Sequence, residues 1–577
     1  MNQFDRSQEI SCDITLVVKD GEKFQAHSTV LSQASPFFEK LLSSGMKESN
    51  EGVIRLQTIT KSQMANILQY IYDGSVQITS QENAEKLIET ADFLLLSNLK
   101  IIAGKFLEQH MTTETCISTN YLAEQYSCEE LVASARKFIH LNFTSVTASK
   151  EFLNLPSHKV EKWISSDEIV IDAEENVFEI ILKWIDHDKS ERSGKFSELF
   201  SHVRLTCVSR DYLLRHIVTN DLVKENADFL DSVTGALEWL DRPTDCDVPR
   251  PHPPRKSLMV DVIVIADRFG EVQPCIYIPA TDEWYLLPAT ESQGLNMEQG
   301  FYKTVACGGK VFFTNDVATS QCYDPDSNRC YTARWKKELP FAEGTPLPTT
   351  IRNRICFIVE ETDSTALWTY SLDSESLTPI PNWVKRANFC AVAVDTYIYV
   401  IGGRIRKHDH CAVTECARFD TVQNEWQKIA PLNEARENAF CTCKNEKIFI
   451  GGGSYFDRLL QIVFRETCEV YNISTDEWQF IASLKLRRTM GSMVLVDETL
   501  YVLGGRTSMR YQGPGKFSDK VECYNPASNE WNEKATVPVN KITAIKKREK
   551  LRYFFNGCSL RIFKGVLNNL ESISESD

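Results

Sequence analysis

The spacing of hydrophobic and polar positions changes twice along this chain. Residues 12–27, CDITLVVKDGEKFQAH, begin as an apolar run broken by Asp20-Gly21, and a turn pair of that kind predicts a β-hairpin. Further on, Thr60 and Gln63 stand in the pattern of a helix capping box. Met64, Ile67, Leu68 and Ile71 then follow at helical spacing, with Gly74 placed to end the helix. Ala84, Leu87, Ile88 and Ala91 repeat that spacing, as do Leu99, Ile102, Ala103 and Phe106. The first segment is therefore mixed α/β, strands early and helices late. From 113 to 240 the pattern is helical with few breakers, and Phe178, Ile181, Leu182 and Ile185 mark one apolar stripe. Short helices joined by short polar turns predict a stacked α-helical array.

Residues 241–257, DRPTDCDVPRPHPPRKS, hold five prolines and read as a linker, since proline interrupts helices and strands alike. Beyond it the chain repeats itself at a period near 50 residues, the length of a propeller blade. An apolar strand ending in two glycines recurs as Gly402–Gly403, Gly451–Gly452 and Gly504–Gly505. A tyrosine-centred strand follows, and then an acidic residue before Trp426, Trp478 and Trp531. The tryptophans lie 52 and 53 residues apart and the glycines 49 and 53, so two coupled motifs share one period. Earlier copies carry Trp284, then Tyr331 at the tryptophan position, then LWTYSLDSESL without an aromatic there. Six blades are expected, the first three degenerate, with Asp267, Asp316 and Glu360 near the places of glycine pairs. Each glycine pair lets backbone pass where a side chain would clash, and each tryptophan wedges apolar surface between neighbours. The stretch KITAIKKREKLRYFFNGCSLRIF offers strands to close the ring against the first blade and so remove open sheet edges.

Composition adds mainly exclusions. The net charge is −15 and the pI about 5.3, the wrong sign for displacing counterions from nucleic-acid phosphates. No apolar run is long enough for a membrane span, and the polar start MNQFDRSQEI lacks signal-peptide character, so a cytoplasmic protein is expected. There the 18 cysteines would remain thiols. Cys441 and Cys443 have no second pair at zinc spacing, and the sequons at Asn142 and Asn472 would go unused. The enzyme motifs G-x-S-x-G, H-E-x-x-H, the P-loop and the Rossmann glycine pattern are missing, and the ten histidines form no ligand cluster. A non-catalytic protein without cofactor or metal is the expectation.

CDITLVV, AHSTVLSQASPFFEKLLSSGMKES and ILQYIYDGSVQI with ETADFLLLSNL resemble a BTB (POZ) domain. The helical segment resembles a BACK domain and the repeats resemble kelch repeats. In that order they resemble the kelch-like family over nearly the whole chain: an α/β BTB domain at 1–112, an α-helical BACK domain at 113–240, the linker at 241–257 and a six-bladed all-β kelch propeller at 258–577. The resemblance implies a substrate-recognition adaptor of a cullin-3 RING ubiquitin ligase. Its BTB domain would form a homodimer and dock cullin-3, and its propeller would bind the protein to be ubiquitinated. The family's cullin contact, a hydrophobic residue, any residue, then glutamate, matches Met46 and Glu48 in GMKES. About eleven residues precede the first strand, which implies a short leading helix at the dimer contact. The alternative is an actin-associated cytoskeletal scaffold, with filaments held by the propeller and crosslinked through the BTB domain.

Arginines recur at comparable places in the repeats. Arg386, Arg436 and the pair Arg487–Arg488 precede inner strands, while Arg404 and Arg506 follow glycine pairs. Guanidinium groups grip carboxylates with two hydrogen bonds, so Arg386, Arg404, Arg436, Arg487 and Arg506 are candidates for binding an acidic peptide of the substrate. The competing expectation is that some of them pair with the repeat's own acidic residues.

Overall fold

The computed structural model describes residues 12–43, 52–241, 250–267, 273–288, 303–314, 319–334, 347–351, 354–360, 365–371, 376–381, 386–405, 411–508, 516–542 and 555–573. They form two compact units, Met1–Leu240 with His252–Leu258, and Asp241–Pro251 with Met259–Asp577.

In the first unit the chain turns at Gly21 (φ 76°) between antiparallel strands Ile14–Val18 and Lys23–Ala26. Strand Val53–Leu56 adds in parallel to the first of these. Helix Lys61–Asp73 has the expected capping box: the Thr60 N–H donates to Gln63 Oε1 at 2.9 Å, and the Thr60 side chain accepts from the Gln63 N–H. Gly74 ends the helix at φ 70°, a left-handed cap that suits glycine. Met64, Ile67 and Leu68 are buried in one core with Leu16 and Ile54 of the sheet, joined by Ala84, Leu87, Ile88 and Ala91 of helix Gln81–Phe93. Helix Ser97–Gln109 buries Leu99, Ala103 and Leu107, whereas Ile102 is exposed with Ile101. The buried stripe of that helix is centred on the i, i+4, i+8 positions, which leaves Ile102 at its margin. Farther along, helix Glu175–Asp186 buries Phe178, Ile181 and Ile185 together with Trp184.

Part of the proline-rich stretch belongs to this unit. Arg255 is fully buried, and its Nε and Nη2 each donate to the Glu174 carboxylate at 2.9 Å. Arg255 Nη1 reaches the Ser166 carbonyl at 2.7 Å, and Ser257 Oγ donates to the Ile169 carbonyl. Proline supplies no N–H for a ladder, so side chains fasten residues 252–258 to the helices.

The second unit is a six-bladed propeller of antiparallel sheets. Strands within a blade are lettered a to d from the channel outward. Blades 2 to 6 occupy residues 303–334, 347–380, 390–429, 440–481 and 492–536. Their a strands touch in sequence, and the ring is completed by Phe555–Phe563, which contacts the a strands of blades 2 and 6. That segment is strand a of blade 1. It pairs antiparallel with strand b, Met259–Asp267, from Phe555 opposite Asp267 to Phe563 opposite Met259. Blade 1 is thus built from both ends of the propeller sequence, as the late strands led one to expect.

Register corrects two sequence assignments. In blade 5 the left-handed glycines are Gly452 and Gly453 (φ 59° and 91°), matching Gly402–Gly403 (61° and 93°) and Gly504–Gly505 (65° and 89°). Gly451 is the last residue of strand b. In blade 2 the residue opposite Tyr323 is Cys330, just as Trp478 lies opposite Tyr471. Cys330 therefore holds the tryptophan position, and Tyr331, one residue on, points to the other face and is exposed. Asp267 and Glu360 end strand b of blades 1 and 3; Asp316 lies outside the described residues.

The tryptophans act between blades. Nε1 of Trp426, Trp478 and Trp531 donates to the carbonyls of Pro381, Ala430 and Ala482 at 2.8, 2.9 and 2.9 Å, each just past strand d of the preceding blade. Thiols do similar work near the channel. Cys441 and Cys443 Sγ donate to the Ala391 and Ala393 carbonyls of the neighbouring a strand. Contact with Cys390 and burial push the Cys441 thiol up, so it stays protonated.

Candidate functional site: one end of the propeller

The segments entering strand a and those leaving strand b meet at the same end of each blade, because a and b are antiparallel neighbours. In blade 5, Arg436 Nη1 donates to the Gly452 carbonyl at 2.9 Å and the Thr467 carbonyl at 2.8 Å, and Nη2 meets Glu469 Oε1 at 2.6 Å. Glu469 is buried too, and its other oxygen accepts from the Asn433 N–H at 2.8 Å and Nδ2 at 2.9 Å. The two charges are paired and both carboxylate oxygens are bonded, while the buried Arg436 Nε has no hydrogen-bond partner among the described residues. Arg386 makes the matching carbonyl contacts in blade 4 with Gly402 and Glu415, but its carboxylate partner is the exposed side chain of Glu415, which stands at the position of Thr467. Arg488 repeats the blade 5 contacts in blade 6 with Gly504, Lys520 and Glu522. Burial draws the guanidinium groups of Arg386 and Arg488 down from their ordinary value, against the pull of Glu415 and Glu522.

The five candidate arginines therefore divide. Arg386 and Arg436 are consumed inside the blades, where a charged side chain needs a partner already in place, and an incoming peptide has no access to them. Arg488 fills the equivalent place in blade 6, and Arg487 beside it is exposed. Arg404 is half-exposed, with Nε 3.5 Å from Glu437 Oε2, which also accepts from Asn388 Nδ2 at 2.9 Å. Arg506 is half-exposed and donates from Nε to the Ser508 carbonyl at 3.3 Å. Arg404, Arg487 and Arg506 remain at the surface of this end.

Blade 5 adds an element absent from the sequence reading. Ser454–Phe456 and Ile462–Phe464 form a hairpin directly after the glycine pair. Arg465 lies 4.2 Å over the Tyr455 ring and pairs with Glu434 at 2.7 Å. The available signal was SYF and IVF on either side of DRLLQ, two apolar triplets interrupting the repeat.

Three models of known families match the chain in order: BTB/POZ domain at residues 1–111, BTB And C-terminal Kelch (BACK) at 116–218, and Kelch motif at 385–433 and 487–538. The human Kelch repeat and BTB domain-containing protein 12 is 24% identical over 93% of this chain and 83% of its own length. Kelch-like protein 21 of Danio rerio is 27% identical over 92% of this chain and 84% of its own. Kelch-like protein 11 of Mus musculus is 31% identical over 92% of this chain and 64% of its own. The chain belongs to the kelch-like, BTB-BACK-kelch family. In this kelch-like chain both motif matches start one residue ahead of a clamp arginine, Arg386 or Arg488, in keeping with the register that sets Arg487 outside the clamp.

The BTB part of the kelch-like chain has its own surface. Met46 and Glu48 lie outside the described residues. Among the described ones, Phe93, Leu95 and Ile101 are exposed, and the Phe93 ring sits 5.2 Å from that of Phe37. Between helices Ser97–Gln109 and Glu129–Leu141 lies a cavity of about 380 Å³ lined by Lys100, Ile101, Gly104, Cys128 and Leu131. Among the described residues no three His, Cys, Asp or Glu side chains could hold a metal, and no helix is long and apolar enough to cross a membrane.

Proposed function

We propose that this kelch-like chain is the substrate-recognition adaptor of a cullin-3 RING ubiquitin ligase. The BTB and BACK parts dock the cullin, and the propeller holds the protein to be ubiquitinated. The observation that carries this reading is the order of the three family matches, with relatives aligned over 92–93% of the chain. The exposed Phe93, Leu95 and Ile101 add apolar area on the BTB domain of the kind that anchors an interface core. In this reading the chain makes and breaks no bond itself. Its contribution is to hold a client's lysine close to a charged conjugating enzyme, which raises effective concentration. Pairing of BTB domains into a homodimer would double the client sites.

The test is calorimetric titration of the full chain with the N-terminal region of cullin-3, alongside Met46→Ala/Glu48→Ala. Micromolar or tighter binding by the wild-type chain, lost in the double variant, is the expected outcome. A wild-type chain that shows no heat of binding removes the adaptor reading.

A further inference from the structure

The blade 5 hairpin presents side chains instead of packing them. Leu459 and Leu460 at its tip are 77% and 68% exposed. Leu460 also holds φ 58°, a left-handed backbone that leucine avoids and that glycine or asparagine adopts readily. The turn is nonetheless closed by hydrogen bonds. Asp457 Oδ1 accepts from the N–H groups of Leu459 at 2.9 Å and Gln461 at 2.8 Å, and the Asp457 N–H donates to the Gln461 carbonyl at 2.9 Å. Leucines held this far out in water, one of them on a strained backbone, bury little apolar area for the fold. Such strain, kept in place by its surroundings, points to use at a binding surface.

The surroundings indicate what would cover them. Tyr455, Phe456, Ile462, Val463 and Phe464 are all half-exposed, so the tip stands on an apolar stem. Arg458 is exposed beside the leucines. In blade 4 the position matching Ser454 at the base of the hairpin is half-exposed Arg404, followed by exposed Ile405. On a chain of net charge −15, this is a local pairing of apolar and cationic groups.

We propose that the hairpin is a docking knob: Leu459 and Leu460 insert into an apolar groove on a folded client protein, and carboxylates on the rim of that groove meet Arg458 and Arg404. The proposal rests on the reading of the propeller as the client-binding half, and it deepens that reading by assigning the client's surface chemistry. An anionic membrane is the less suitable acceptor, because the net negative charge of the chain opposes approach.

The test uses the full chain in cells with Leu459→p-benzoylphenylalanine for photocrosslinking, and with the same replacement at Val422, which is 76% exposed in another turn. The expected result is one discrete protein adduct from position 459 and none from 422, mapping on the client to an apolar surface bordered by Asp or Glu. Adding Arg458→Glu or Leu460→Ser should cut its yield at least about tenfold, the effect of losing a hot-spot residue. Leu460→Asn should raise the thermal midpoint while lowering the yield, since it relieves the backbone and removes the apolar group. No adduct, an adduct on a surface lacking either feature, or an unchanged yield in the variants overturns the proposal. So does co-sedimentation of wild-type chain, but not of Leu459→Ser/Leu460→Ser, with phosphatidylcholine–phosphatidylserine vesicles. Cullin-3 binding is measured on the same samples. Its retention while the adduct is missing removes the knob alone, and its absence from the wild-type chain removes the adaptor reading alone.

Discussion

Arg436 and Arg487 carry the same charge and precede equivalent strands, yet one is buried with Glu469 and the other stands in solvent. Removing a single partner from a buried ion pair leaves an uncompensated charge, at a cost of about 3–5 kcal/mol. Arg436→Ala should therefore lower propeller stability by about that much in urea unfolding, whereas Arg487→Ala should change it by less than about 0.5 kcal/mol. Equal stabilities would refute the clamp. The sequence carried the repeat of arginines but not their depth. A guanidinium reads as surface until the carboxylate that meets it, 33 residues away at Glu469, is placed by the fold. For the same reason, the sequence could set the inward clamp at Arg487 or Arg488 equally well. The hydrogen bond to the Gly504 carbonyl chooses between them.

A blade tolerates a side chain poorly at the point where strand b leaves the sheet. A Cβ on Gly452 would overlap the Arg488 carbonyl in the next blade, and φ 59° disfavours any L residue there. A Cβ on Gly451 would meet side chains and no backbone: Cys468 Sγ at 2.9 Å, and Met493 Cε and Phe440 Cε2 at 3.1 Å. Gly452→Ala should thus lower the thermal midpoint more than Gly451→Ala, by at least about 1 kcal/mol in stability; the reverse order would restore the pair inferred from sequence. Three consecutive glycines hide their register, which is why the motif was legible and its phase was not. The capping box at Thr60 and the stripe of helix Glu175–Asp186 were legible because each is fixed by residues three or four apart. The blade 5 hairpin and the fastening of Arg255 on Glu174 depend on neighbours that no local pattern announces. The assignment of Met46 and Glu48 rests on family resemblance alone.

At the scale of the whole molecule, strand Phe555–Phe563 decides whether a ring exists. Leu560 and Ile562 pack with Val262, Val264, Val311 and Phe313 of blades 1 and 2. A chain ending after residue 554 should lose the propeller's cooperative calorimetric transition while keeping that of the BTB-BACK unit. Ile562→Ala should cost about 2–5 kcal/mol in the propeller alone. Retention of both transitions in the shortened chain would mean that the ring closes by other contacts. The order of domains and the presence of late strands were readable, because period and composition change sharply at their borders. The antiparallel register of Phe555–Phe563 on Met259–Asp267 was not, since the two segments are far apart in the sequence.

That pairing sets a schedule for biosynthesis. Met259–Asp267 emerges from the ribosome first, and its partner follows roughly 300 residues later, about 15–60 s at ordinary translation rates. Throughout that interval the nascent chain carries a strand of Val262, Ile263, Val264 and Ile265 with one ladder edge unfilled. The protein's yield in a cell should accordingly follow the supply of chaperones able to shield that edge until Phe555–Phe563 is released.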